Sequence, residues 1–555
     1  MQRAPRHARS GAPVFPLVRG HLRHRARGSD RSRFTSRGRS GARDPRGDRR
    51  HAAGAPLRSQ RLHDLRPLPA QRHRAAEADL QPHRVSSSVR VVVVGAGVAG
   101  LAAGYRLLGA AKRMGRPLGL VVLEGEPYPG GHARTIREPG FLVETGPDAF
   151  LDRPREPQVR GLVRELGLEA RVVEASAASR RRSILLDGRL RRAPDSPLTL
   201  LASEALGVAG KLRVLMEPWA HEAPAGVEET VFEFACRRIG AEAAERLVDA
   251  AVAGVSAGDS RRLSIEAAFP LLKEMERDHG SLLRAMAARR REGKVRLLAF
   301  DGGMAVLVDA LRQRLGPALC TSRPARGIDR ARGGWEVGLD GGESIAAERV
   351  ILATPASRAA SLVASLDPEL SASLGAFRFS GLAMVALAFP SSATPRLDGY
   401  GYLVGAAEGL DTLGVVFESS LFHGRAPQGA VLLRVMMGGT RRPEVVALGE
   451  PELVERARRE LAGPLGIRAK PVRAWVRRWP AAIAQYEVGH RGRVEASRRL
   501  LERHPGLDLC GASYDGISFG SAIASGLAAA ERALAADHVT EPPISLAHAI
   551  VGSTR

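Results

Sequence analysis

The sequence predicts an α/β fold: a Rossmann-like parallel sheet assembled from discontinuous stretches of chain, with two insertions between them. Three observations carry the prediction. Val91–Val94 is an all-valine run fit for a strand buried on both faces, and Gly95, Gly97 and Gly100 follow it in G-x-G-x-x-G spacing, ahead of an apolar-periodic helix from about Val98 to Gly109. A second apolar strand, LGLVVLE, ends on Glu124, where such a sheet reserves a place for an acidic residue. Two later segments read as returns to the same sheet: RVILATPA at Arg349–Ala356, and a strand at Leu507–Cys510 with a glycine turn and a small-residue helix at Ser521–Leu534.

Each element has a chemical reason. The first glycine permits the tight turn, the second lets backbone approach a pyrophosphate, and the third lets helix pack on strand. The helix N-terminus offers free N–H groups to the phosphates, so Gly95, Ala96, Gly97, Val98, Ala99 and Gly100 are candidate binding residues. A carboxylate at Glu124 can accept both ribose hydroxyls and would repel a 2′-phosphate, which favours FAD or NAD over NADP. The next segment, EGEPYPGGHARTIREPGFLVETGPDAF, separates those two. Gly130-Gly131 is a second glycine turn followed by His132 and Arg134, and a cation there suits a cofactor lying extended with its pyrophosphate neutralised, hence FAD.

Composition bounds the rest. At 555 residues the chain is long enough for two or three domains. No window of eighteen apolar residues free of charge is present, so a membrane span is not expected. Cys236, Cys320 and Cys510 are too far apart for a metal site or a disulfide framework, so no metal is expected and a reducing, cytoplasmic setting is the default. The formal charge of +24 is unevenly placed: 21 arginines against 6 acidic residues in the first 88 residues supply +15 of it. That arginine-rich stretch has no period and too little apolar content to fold, and is read as a disordered extension. An over-extended start, an organelle-type leader and a nucleic-acid arm all remain open for it, with nucleic acid not expected as a partner of the folded part.

Six blocks, in order, resemble the protoporphyrinogen oxidase family of the flavin amine oxidase superfamily: Ala251–Leu283, FDGGMAVLVDAL, DGYGYLV, VMMGG, WPAAIAQYEVGH and LCGASYDGISFGSAIASGLAAAERAL. The resemblance implies a Rossmann-like FAD-binding domain in three parts (89–149, 292–356 and 472–536), a helical insertion at 150–291 that makes peripheral membrane contact, a substrate domain at 357–471, and a tail at 537–555. Read from the residues alone, the insertion's helix faces are equally ordinary core. The activity implied is FAD-dependent oxidation of protoporphyrinogen IX to protoporphyrin IX with oxygen as acceptor. Coproporphyrinogen III oxidation, or another flavin oxidase activity, is the alternative. A homodimer, and a place on the inner face of the cell membrane, belong to the same implication.

The resemblance also implies site residues. Gly131, His132, Arg134, Gly146, Pro147, Asp148, Ala149, Ala325, Trp479, Ile517, Ser518 and Phe519 would meet FAD; Arg182, Gly254, Tyr400, Leu403 and Met436 would meet the substrate, Arg182 through a propionate. Plain core packing accounts as well for Trp479, and a solvated basic run for Arg180–Arg182. No side-chain nucleophile is needed, because hydride leaves carbon for the flavin. Three departures from the family pattern stand out: His132 where a larger apolar residue is common, Ser183 where an aromatic is common, and Phe519-Gly520-Ser521-Ala522-Ile523 in place of an Asn-Asp-Cys-Ile ending.

Overall fold

The computed structural model describes residues 89–115, 118–153, 156–224, 226–289 and 295–535, so the readings of residues 1–88 and 537–555 fall outside the described residues. All that follows concerns the unit that begins at His83.

The valine strand sits in the middle of a five-stranded parallel sheet, in the order Leu319–Cys320, Leu118–Leu123, Val89–Val94, Arg349–Leu352, Leu507–Leu509. Because side chains alternate along a strand, Val91 and Val93 enter one core and Val92 and Val94 another. The first core is closed by helices Val98–Met114, Ala305–Leu315 and Phe519–Ala535, the second by a small antiparallel sheet (Ala325–Ala331, Gly334–Leu339, Ser344–Ala347) and helices Ala356–Leu362 and Pro368–Gly375. The first helix runs five residues past the expected Gly109: it stops where Gly115 takes a left-handed φ of 63° and its N–H returns to the Ala111 and Lys112 carbonyls.

A seven-stranded sheet forms the second layer, ordered Arg473–Ala484, Phe379–Pro390, Ala430–Gly438, Thr412–Val416, Gly401–Val404, Arg182–Leu186, Arg189–Arg192. Two boundaries read from the sequence move as a result. Arg473–Ala484, assigned to the third part of the FAD domain, pairs with Phe379–Pro390, because its half-buried run suits a sheet edge rather than a dinucleotide core. The hairpin Arg182–Arg192, assigned to the helical insertion, joins Gly401–Val404; Asp187 and Gly188 turn it with φ of 54° and 71°, the two-residue geometry that Asp-Gly favours. Phe150–Asp152 and Val172–Glu174 likewise pair with Arg296–Phe300. Within the insertion the helix Gln158–Glu165 joins the first core through Val159, Leu162 and Val163, and the separate helical layer is built from the helices between Pro197 and Arg289. Its own core holds a buried Arg238–Glu217 ion pair, with Ser281 and the Leu282 and Leu283 N–H groups satisfying the rest of the Glu217 carboxylate.

Candidate active site

Between the two sheets lies a cavity of about 1020 Å³, at the upper end of ligand pockets and large enough for a dinucleotide and a second molecule. At one end Glu124 leaves its strand. Its Oε2 accepts the Ala96 N–H at 3.0 Å and its Oε1 the Glu126 N–H at 3.0 Å, which fixes the carboxylate at the cavity wall with lone pairs to spare. Ala325 shares that wall. Next comes the glycine turn. A Cβ on Gly97 would meet nothing within 4 Å and would point into open cavity, whereas one on Gly100 would sit 1.9 Å from the Gly95 carbonyl oxygen. The helix after Gly97 has no side-chain cap, so its first N–H groups remain available. Gly130 bridges to Gly97, bringing the second glycine turn beside the first.

A chain of contacts leads from there to the other end. His132 meets the Trp479 indole edge-on at 4.6 Å, and that indole donates its N–H to the Thr145 carbonyl at 2.6 Å. Burial, helped by the Arg134 and Arg477 guanidiniums, lowers the His132 imidazole to about 4, so the ring is neutral. Gly146–Phe150 and Ile517–Phe519 continue the wall, with Phe519 stacked on Phe150 at 6.3 Å. The unusual FGSAI segment has a local physical reason. Ser518 accepts the Ser521 N–H at 3.0 Å as a helix cap, so the helix starts at Phe519, two residues earlier than expected, with its positive end toward the cavity.

Asp148 then reaches the second sheet: it accepts the Tyr400 hydroxyl at 3.2 Å and pairs with Arg434 at 3.0 Å. The Arg182 guanidinium lies 5.0 Å over the Tyr400 ring. A Cβ on Gly414 would lie 3.4 Å from both Leu403 Cδ2 and Met436 Cε, and one on Gly254 would lie 2.2 Å from Leu403 Cδ2, so that glycine already makes room for a neighbouring leucine.

Of the residues singled out from the sequence, Gly95, Gly97, Val98, Ala99, Glu124, Gly131, His132, Gly146, Pro147, Asp148, Ala149, Ala325, Trp479, Ile517, Ser518, Phe519, Arg182, Gly254, Tyr400, Leu403 and Met436 all line this one cavity. Three do not. Ala96 is buried beneath it, donating its N–H to Glu124 and accepting the Gly130 N–H at its carbonyl; Gly100 sits under the turn; Arg134 points its guanidinium at the Gly131 and Tyr128 carbonyls, 3.2 and 3.1 Å away, and so braces the second glycine turn from outside. Arg180 and Arg181 also lie off the wall, Arg181 being paired with Asp398.

Sequence reasoning missed Arg434, which is buried at the cavity wall and tied to Glu418 at 2.7 Å as well as to Asp148. Burial pushes the Glu418 carboxyl up to about 7 against the pull of Arg434. The signal was present: an arginine in the middle of the apolar strand AVLLRVMMG has to be paired if that strand is central.

The residues fit FAD. The Glu124 carboxylate, an open cradle at Gly97 and an uncapped helix end succeed one another along a single wall, and the cavity continues beyond them. Comparison with known proteins agrees. The family described as flavin containing amine oxidoreductase matches residues 98–534. Protoporphyrinogen oxidase of Homo sapiens is 32% identical over 489 residues, covering 81% of this chain and 99% of its own. Coproporphyrinogen III oxidase of Bacillus subtilis (strain 168) is 27% identical over 463 residues, covering 80% and 97%. The crystal structure of a protein from Exiguobacterium sp. 255-15, provisionally named a protoporphyrinogen oxidase, shares the fold with a TM-score of 0.71 at 24% identity, covering 80% of this chain and 98% of that one. This chain therefore belongs to the flavin containing amine oxidoreductase family, on its protoporphyrinogen oxidase-like side, and is an FAD-dependent oxidoreductase.

Proposed function

We propose that the enzyme oxidises protoporphyrinogen IX to protoporphyrin IX with oxygen as acceptor. The observation that carries this reading is the end of the cavity beyond Asp148: Leu403, Met436, Leu413, Val415 and Ala253 give an apolar wall, and Arg182 stands at its edge with no carboxylate in ion-pair reach among the described residues. An apolar macrocycle with a carboxylate at its rim matches that pattern. Bound FAD supplies the acceptor for hydride. The chain's own residues do the rest. Arg182 holds a propionate; the apolar wall orients the ring and excludes water; the capped start of the helix Phe519–Ala535 favours negative charge at the wall it faces. Glu124, Gly97 and Gly131 hold the cofactor's ribose and pyrophosphate, with Arg134 bracing the turn.

The two-carboxylate substrate is preferred to coproporphyrinogen III, with its four, on one observation. Arg180 and Arg181 do not reach the cavity, which leaves Arg182 as the guanidinium at the edge of the apolar wall without a carboxylate partner among the described residues. The test is kcat/KM for the two porphyrinogens side by side, read by porphyrin fluorescence. Preference for protoporphyrinogen supports the reading, and preference for coproporphyrinogen transfers it to the four-carboxylate substrate.

Peripheral membrane contact belongs to the same proposal. No described helix is long and apolar enough to cross a membrane. On helices Pro197–Ala202 and Val208–Leu215 and the turn Glu217–Trp219, however, Leu198, Val208 and Trp219 are 80%, 75% and 72% exposed, joined by Leu201, Leu212 and Met216. Such a cluster of large exposed apolar side chains suits the interfacial region of a bilayer.

A further inference from the structure

Arg182 is a long side chain at the exposed start of a strand, and an arginine free to sample its rotamers gives up much of its binding energy when a ligand immobilises it. Here it is not free. Its guanidinium lies over the Tyr400 ring, 5.0 Å from the centroid, while its neighbour Arg181 is occupied by Asp398. Tyr400 is held in turn from both sides. Its backbone N–H donates to the Arg181 carbonyl at 2.7 Å and its hydroxyl to Asp148 Oδ2 at 3.2 Å. Asp148 is fixed by Arg434 at 3.0 Å, and Arg434 is anchored by Glu418 at 2.7 Å and by the Gly146 carbonyl. The links run from the helix Glu418–Leu421 and the strand Ala430–Gly438 through the loop Gly146–Ala149 to Tyr400, just before the strand Gly401–Val404, and on to the hairpin that carries Arg182.

We propose that Tyr400, tethered through Asp148 to the buried Arg434–Glu418 pair, is a positioning residue that holds the Arg182 guanidinium ready for a substrate carboxylate. The resemblance implies a substrate contact for Tyr400; its ring also serves as a platform and its hydroxyl as the tether. Burial raises the Tyr400 phenol above its ordinary range, so the hydroxyl remains a donor throughout the working pH range. The same tether gives Asp148 a second task beside the one expected of it at the flavin. The proposal rests on the porphyrinogen reading above, because it needs a carboxylate substrate.

The test compares protoporphyrinogen with its dimethyl ester, which keeps the macrocycle and removes the carboxylates, on flavin-loaded enzyme. Tyr400→Phe keeps the ring and loses the tether; Tyr400→Leu loses the platform. Both are expected to raise the ratio of KM for the acid to KM for the ester about three- to fivefold, the part of the effect that depends on the carboxylates. Combined with Arg182→Ala, Tyr400→Leu is expected to add nothing further, because both changes remove one interaction. A rise in KM for acid and ester alike, or effects that simply multiply in the double variant, overturns the proposal and makes Tyr400 a packing residue. Tyr400→Phe is nearly isosteric, so the outcome does not depend on Tyr400→Leu folding. If the unaltered enzyme oxidises neither form, the porphyrinogen reading has failed; if it oxidises both and the variants do not discriminate, only the positioning claim has.

Discussion

Glu124 is the residue on which the cofactor assignment turns. Its carboxylate already accepts two backbone N–H groups, so removing it both deletes the proposed ribose acceptor and loosens the turn at Ala96. Glu124→Ala is expected to weaken FAD by about 1.5–3 kcal/mol, the worth of a charge-assisted hydrogen bond, with Glu124→Gln recovering part; unchanged FAD affinity by fluorescence titration would remove the ribose assignment. Arg182→Ala is expected to raise KM for porphyrinogen by about tenfold and leave the flavin spectrum intact, with Arg181→Ala near neutral because Arg181 faces Asp398 instead. A third prediction concerns acid. His490 stacks on Tyr486 at 3.7 Å, meets Phe377 edge-on, and is lowered by burial from 6.5 to about 4. The unfolded chain binds that proton below about pH 6.5 and the folded chain only below about 4, so stability is intact at neutral pH. It falls as pH drops through that window, by at most about 1.4 kcal/mol per unit. His490→Gln should flatten that part of the urea-midpoint profile between pH 6.5 and 4.5, and an unchanged profile would acquit the histidine. At this scale the glycines and Glu124 were placed by a local pattern, whereas Trp479 came only from the family resemblance, with core packing an equal reading; the fold brings Gly97, Glu124 and Trp479 to one cavity. Arg434 and Glu418 were not legible, since their partners lie hundreds of residues away or on a neighbouring strand and only the fold brings them together.

Elements were legible where one physical signal dominated. The valine strand, its helix and the small-residue helix at the C-terminal end followed from burial on both faces and from glycine spacing. The hairpin Arg182–Arg192 carried an equally plain Asp-Gly turn, but the helical patterns around it drew it into the wrong domain, and Arg473–Ala484 was placed by its neighbours in the chain rather than by its own half-buried run. The close packing of the two helices flanking the glycine turn gives a sharp test. A Cβ on Gly526 would lie 2.0 Å from the Ala99 carbonyl oxygen, in the helix Val98–Met114. Gly526→Ala is therefore expected to push the helices apart, costing about 1–3 kcal/mol and weakening FAD along with the melting temperature. Gly161→Ala, in the helix Gln158–Glu165 with open space around its Cβ, is the control and should gain about 0.5–1 kcal/mol. A Gly526→Ala enzyme that melts and binds flavin like the unaltered one would show that this contact does not set the turn.

The described residues join the five-stranded parallel sheet to a mixed seven-stranded sheet across a shared cavity, with a helical layer presenting apolar side chains to solvent. If that layer is the membrane face, Leu212→Ser with Trp219→Ser should lower the bound fraction on phosphatidylglycerol vesicles while leaving porphyrinogen turnover in detergent unchanged. Equal vesicle binding together with a loss of self-association would assign the face to a second copy instead. Charge read at the scale of the whole chain pointed to nucleic acid; its concentration in the first 88 residues is what kept that reading away from the fold.

The central claim is that porphyrinogen electrons enter the flavin held in this cavity. Anaerobic mixing of the FAD-loaded enzyme with stoichiometric protoporphyrinogen IX tests it most directly. The yellow flavin absorbance is expected to bleach as porphyrin fluorescence appears, and admitting oxygen is expected to restore the yellow form without further loss of product. A flavin that stays oxidised with protoporphyrinogen and coproporphyrinogen alike, while still bleaching with dithionite, would contradict it.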